Sequence, residues 1–182
     1  TDWVDVENTC DETATISAVD DIVYFPDYSR LVFVYPDSFK CPNGRGTVGK
    51  ISMQSDDGEF IASISWLASY QFTSVFVPGH EFGHNLGAHH ANGYDCGDNA
   101  IDVEEKCASI EYQDFGSIMG LVTAHMHANT KERFQWFDEN QFITLPKIPV
   151  DETYTLTLIE ASSTLPTAIR IPTKKEGWDY YV

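Results

Sequence analysis

The stretch HEFGHNLGAHH, residues 80–90, holds four histidines, one glutamate and two glycines in eleven positions. On a helix, residues four apart face the same way, so His80 and His84 stack one turn apart. Both can then aim a ring nitrogen at one ion about 2.0–2.1 Å away. Glu81 is poorly placed to join them as a ligand, but it can reach a water on the metal. Two histidines do not close a site, so a third ligand must come from beyond the helix. Gly87 takes a positive φ at low cost, ends the helix and turns the chain. Three residues later stands His90. The spacing H-E-x-x-H-x-x-G-x-x-H therefore assigns His80, His84 and His90 as metal ligands, Glu81 as the catalytic group and Gly87 as the supporting turn. His89 is one residue out of register and is assigned to the surroundings of the site or to solvent. The alternative is that it displaces His90.

Three histidines leave a fourth position open. That is the arrangement of a catalytic zinc, which keeps a water there, whereas a structural zinc is normally closed by four protein ligands. Zinc brings the pKa of its water toward 7 and polarises a carbonyl, while a carboxylate such as Glu81 takes the proton. This is equipment for hydrolysing an amide. The bland alternative, histidines merely lining a helix face, fits a bare H-E-x-x-H better than the extended form with Gly87 and His90.

These residues need a frame. Residues 13–25, TATISAVDDIVYF, place Ile16, Val19, Ile22 and Val23 at helical spacing, with Pro26 as the stop. RLVFVYP (30–36) reads as a buried strand, CPNGRG as loop, TVGKISMQ (47–54) as a second strand and SDDGE as a turn. FIASISWLA (60–68) is a third strand, with Phe60, Ala62, Ile64 and Trp66 on one face. Residues 74–87 form the metal-binding helix, its regular part starting near Pro78. Residues 91–116 are irregular and polar. TKERFQWFDENQF (130–142) predicts another helix capped by Asn129, and LPKIP breaks it. From Thr153 on, TYTLTLIE, TAIRIP and WDYYV read as strands of a small β unit. That pattern runs to Val182 as if mid-strand, so a longer protein is expected. Thr1-Asp2-Trp3-Val4 lacks the basic region and apolar core of a signal peptide, and the expectation is that any export signal is already gone.

Composition limits the partners. Eleven Lys and Arg against 28 Asp and Glu give a net charge of -17, with the acids spread out. Nucleic acid and anionic membranes need clustered bases, so both are excluded as partners, and no apolar run approaches the roughly 20 residues of a membrane span. A solvated acidic surface suits a secreted protein. The four cysteines, Cys10, Cys41, Cys96 and Cys107, form no C-x-x-C pair. Their even count fits two disulfides in an oxidising compartment, against the alternative of four buried thiols. Of three pairings, proximity favours Cys96 with Cys107, leaving Cys10 with Cys41. The acidic stretch from Asp95 to Glu105 raises calcium as a second ion, but its spacing matches no calcium loop.

The extended zinc motif resembles that of the metzincin metalloproteases, in which a methionine turn lies under the zinc. DFGSIMG (114–120) supplies Met119 as that methionine. HEFGHNLGAHHAN, then YQDFGSIMG, KERFQWF and TYTLTLIE, are most similar to the gametolysin family of peptidases, over roughly residues 30–182. Gln135 stands where that family's pattern has glycine before the tryptophan, here Trp136. Ala91 follows His90 where reprolysin-like proteases carry aspartate. Leu121 stands where astacin-like enzymes carry a tyrosine ligand.

The resemblance implies an α+β, zincin-like fold: a catalytic domain over residues 1–145, with a mixed twisted sheet and an active-site helix, and a β-rich segment over 146–182. It implies one catalytic Zn2+ and a secreted zinc endopeptidase. The substrate would be a protein or peptide, of the extracellular-matrix or cell-wall kind. It also implies that strand 60–68 is a sheet edge to which substrate adds as a further strand. His125 and His127, near the methionine, are read as ordinary polar loop residues. The rival reading is a binding module that keeps a protease-like fold and zinc but does not cut.

Overall fold

The computed structural model describes residues 12–37, 44–99, 106–138, 140–148, 151–159, 165–173 and 179–182. It is a mixed α+β structure with few helices and several small sheets. The chain forms two compact units, Thr1–His125 and Met126–Val182. No helix among the described residues is long and apolar enough to cross a membrane.

The first unit is organised around one strand. β1 (Arg30–Tyr35), β2 (Arg45–Gly46), β3 (Ile51–Ser55) and β4 (Gly58–Ala68) form a single sheet. β4 pairs in parallel with β1, from Arg30↔Ser63 to Tyr35↔Ala68. Along its other side it pairs antiparallel with β3 and then with β2. The expectation that this strand is a sheet edge is therefore wrong: β4 is interior. Its second partner, β2, is only two residues long and lies in the Gly/Pro-rich stretch read as loop, where no alternation marks a strand.

From Ala62 to Ala68, β4 is buried on both faces. Phe60, Ala62, Ile64 and Trp66 point to one side and pack with Ile16 of helix α1 (Glu12–Val19) and with Phe25. Phe25 stacks on Phe60 with ring centroids 5.0 Å apart. This is the alternating face the sequence displays. The other face presents Ser63, Ser65 and Leu67, all buried. Serines there leave room for helix α2 (Phe76–Asn85) to lie close to the sheet. Asn85 fixes it: its Oδ1 accepts from Ser65 Oγ at 2.8 Å, and its Nδ2 donates to the carbonyls of Ile64 at 2.9 Å and Thr47 at 3.1 Å. Each buried polar atom of this bridge has a partner, so it locates the helix without an unmet desolvation cost.

The first helix is shorter than its apolar spacing suggests. α1 stops at Val19, before the adjacent acids Asp20 and Asp21, which oppose the negative end of the helix dipole. Pro26 does not end it but sits inside a separate 3₁₀ turn, Phe25–Asp27. The second strand also starts later than expected, at Ile51, after a left-handed turn at Gly49. Beyond α2, β5 (Gly93–Asp95) and β6 (Ala108–Ile110) pair antiparallel. The Cys96–Cys107 disulfide closes the end of that pair next to Asp95↔Ala108. The expected Cys10–Cys41 pair lies outside the described residues, as does most of the acidic stretch considered for calcium.

In the second unit, helix α3 (Ala128–Arg133) is capped at His127, not Asn129, and is less than half the expected length. Gln135 ends it with φ 57. The Gln135 N–H donates to Glu132 O and the Trp136 N–H to Lys131 O, the paired bonds of a left-handed helix stop that glycine usually fills. This chain makes that turn with a side chain in the glycine's place. β7 (Phe142–Thr144), β8 (Ala168–Pro172) and β9 (Asp179–Tyr181) follow as a three-stranded sheet. β8 and β9 match the expected strands. The described part of TYTLTLIE is in no ladder; its alternation is not matched by a pairing partner among the described residues. Glu132 ties α3 to the sheet, accepting from Arg170 and from the Tyr181 hydroxyl, each at 2.7 Å.

Candidate metal centre

Helix α2 carries His80 and His84 on one buried face, one turn apart, with ring centroids 4.8 Å apart. The helix then stops where the sequence says it should. Gly87 has φ 100, its N–H donates to His84 O, and the Ala88 N–H donates to Gly83 O. A residue with a Cβ would be strained at that φ. The turn sends the chain back past the helix, and the His90 ring arrives 4.8 Å from His84 and 5.3 Å from His80. One ligand atom from each of the three lies within 4.8 Å of the others. His89 is exposed and is not part of this group.

The hydrogen bonds say which nitrogens face inward. His80 Nδ1 lies 2.8 Å from Ile118 O, His84 Nδ1 2.7 Å from Ala88 O, and His90 Nδ1 2.6 Å from Glu111 Oε1. A carbonyl or carboxylate oxygen only accepts, so each Nδ1 donates a proton, and Nε2 is the nitrogen left to meet a metal ion. Burial, the leading cause, lowers the pKa of His80 and of His84, which favours the neutral form that binds a cation. Three imidazoles with their outer nitrogens already engaged could together hold a metal ion.

The segment containing Met119 is tied to these histidines by backbone. Ile118 O holds His80, and Met119 O accepts from Ala91 N at 2.9 Å, immediately after His90. Met119 is 1% exposed. Gly79 lets the turn come close, since a Cβ there would meet Ile118 Cδ1 at 2.6 Å.

Glu81 lies one residue along from His80 and is 6% exposed. Burial raises its carboxyl pKa to about 7. It opens onto a cleft of about 270 Å³, room for one or two side chains, lined also by His80, Phe76, Val77, Tyr112 and Leu121. Two glycines of the supposed loop make space for it. A Cβ on Gly44 would come within 2.4 Å of Val77 Cγ1 and 2.9 Å of Glu81 Oε1. One on Gly46 would come within 2.7 Å of the Glu81 carbonyl oxygen. The residues named for the site from sequence thus lie in one unit, and His80 and Glu81 among them line this cleft. His125 and His127 are not in the metal group.

Sequence reasoning missed Glu111, Tyr112, Gly44, Gly46 and Asn85. The repeated glycines of NGRG before the second strand were a usable sign of close approach. For Glu111, twenty-one residues after His90, no spacing rule gave a sign. Comparison with protein-family models, with curated proteins and with solved structures finds no match for this chain.

Proposed function

We propose that the chain is a secreted zinc endopeptidase with a zincin-like fold, of the metzincin kind and most similar to the gametolysin peptidases. The observation that carries this reading is one buried carboxylate, Glu81, lining a cleft together with His80, whose ligand atom lies within 4.8 Å of those of His84 and His90. Such a carboxylate has no packing purpose: ionised and buried, it costs stability, and a zinc that served only the fold would not need it.

His80, His84 and His90 would hold the metal. When bound, it supplies a Lewis acid that activates water and stabilises the charge developing on the attacked carbonyl. Glu81 acts as general base and then passes the proton to the leaving amine. A carboxyl titrating near neutrality suits both tasks. Gly87 sets the third ligand's approach, and Met119 fills the buried turn that fixes His80. Because β4 is interior, an extended substrate is expected to run alongside β2, the strand against Glu81. The Cys96–Cys107 disulfide supports secretion, since such bonds persist in oxidising compartments.

The test is cleavage of a denatured protein such as casein by the purified chain, with a chelator and then with zinc restored. Loss on chelation and recovery with zinc support the reading. Cleavage indifferent to the chelator, or none by the zinc-loaded protein, sinks it.

A further inference from the structure

His80 and His84 are oriented by backbone carbonyls that the fold supplies in any case. His90 is different. It lies past the end of α2 in irregular backbone, a quarter of its side chain is exposed, and its Nδ1 meets a side chain, Glu111 Oε1 at 2.6 Å. The face of the same ring lies against Tyr112, with centroids 3.9 Å apart and planes tilted by 38°.

Consecutive residues of extended chain point to opposite sides. Glu111 and Tyr112 nevertheless engage one ring, one at its edge and one at its face. The backbone explains how: Tyr112 has φ 63, the left-handed region that a bulky side chain seldom occupies. Strain of this kind persists only where neighbours enforce it. Here the Tyr112 N–H donates to Asn92 Oδ1 at 3.3 Å, and Gly120 leaves room for its carbonyl, which a Cβ would approach to 3.1 Å. Both residues follow directly on Ile110, whose partner across the β5–β6 pair is Gly93, three residues after His90. One short antiparallel pair thus stands between them, with the third ligand just before one strand and its two holders just after the other.

We infer that Glu111 and Tyr112 form a clamp on His90, with Glu111 the positioning residue for the third metal ligand. This rests on the metal-site reading above. A carboxylate does more than a carbonyl here, because its charge makes the opposite ring nitrogen a stronger donor while it fixes the ring. Tyr112 prevents the ring from swinging, and it also walls the cleft beside Glu81.

Zn2+ affinity, by competition with a chromophoric chelator, and the visible spectrum of the Co2+ form test this. The proteins are the parent, Glu111→Ala, Glu111→Gln, Tyr112→Leu and Tyr112→Phe, with Glu59→Ala, near the start of β4, as control. Glu111→Ala should lose about 10–100-fold in Zn2+ affinity with an altered Co2+ spectrum. Its metal-free thermal midpoint should not move. Glu111→Gln keeps an acceptor oxygen without the charge and should fall between. Tyr112→Leu should weaken binding, and Tyr112→Phe, which keeps the ring, should bind like the parent. Zn2+ binding by Glu111→Gln and Glu111→Ala as tight as the parent's, with unchanged Co2+ spectra, overturns the clamp and leaves the metal site standing. A parent that does not bind Zn2+ overturns both.

Discussion

Replacing Glu81 by glutamine should make the metal-free protein more stable, and only above a certain pH. The carboxyl titrates at about 7 in the fold against an ordinary 4.5, because burial penalises its charge. Between those values the native protein keeps the proton and the unfolded chain has lost it. Stability therefore falls as pH rises through the window, by about 1.4 kcal/mol per unit, and the loss is complete above about pH 7 at about 3 kcal/mol. Glutamine has no charge to bury. Glu81→Gln should thus gain about 3 kcal/mol at pH 8 and nothing at pH 4. His80 and His84, whose pKa values are lowered, tilt the profile the other way below their ordinary value, but they are common to both proteins and drop out of the difference. The assay is denaturant unfolding of both proteins in chelator, from pH 4 to pH 8. Saturating zinc should shrink the gap, because a nearby cation favours the ionised carboxylate. Equal stabilities at pH 8, or a gap that is the same at both ends, would refute the claim that a buried charge sits at position 81.

Three further outcomes follow from the geometry. His90→Ala should weaken zinc binding far more than His89→Ala in a chelator competition, and the reverse order would mean the ligand register is wrong. Gln135→Gly should raise the stability of the second unit by about 1 kcal/mol, because glycine takes the left-handed stop without strain; a lower thermal midpoint would count against that turn. Removing the Cys96–Cys107 link as a double serine variant should cost about 3 kcal/mol, as expected for a loop of that length, and should also weaken zinc binding, since the β5–β6 pair presents the holders of His90. Unchanged denaturation and zinc affinity would show that the link braces nothing.

The clustering of His80, His84 and His90 was legible because helix periodicity and one glycine convert spacing directly into direction. The core face of β4 was legible for the same reason, as Phe60, Ala62, Ile64 and Trp66 alternate. What pairs with a strand is a different matter. β2 is two residues of Arg and Gly, with no pattern to read, so nothing in the text of β4 told an interior strand from an edge. The long apolar spacing after Thr130 was a poor guide to α3, because a backbone turn at Gln135 overrides side-chain periodicity. Glu111 and Tyr112 act through a β pairing that brings residues twenty apart together, and such pairings leave no mark on local sequence.

The central claim is that Glu81 does chemistry at a metal held by His80, His84 and His90. Casein cleavage and zinc content, measured together on the parent and on Glu81→Ala, test it most directly. The account predicts one zinc per chain in both proteins, with cleavage by the parent and none by the variant. Zinc in both with undiminished cleavage by Glu81→Ala would contradict it.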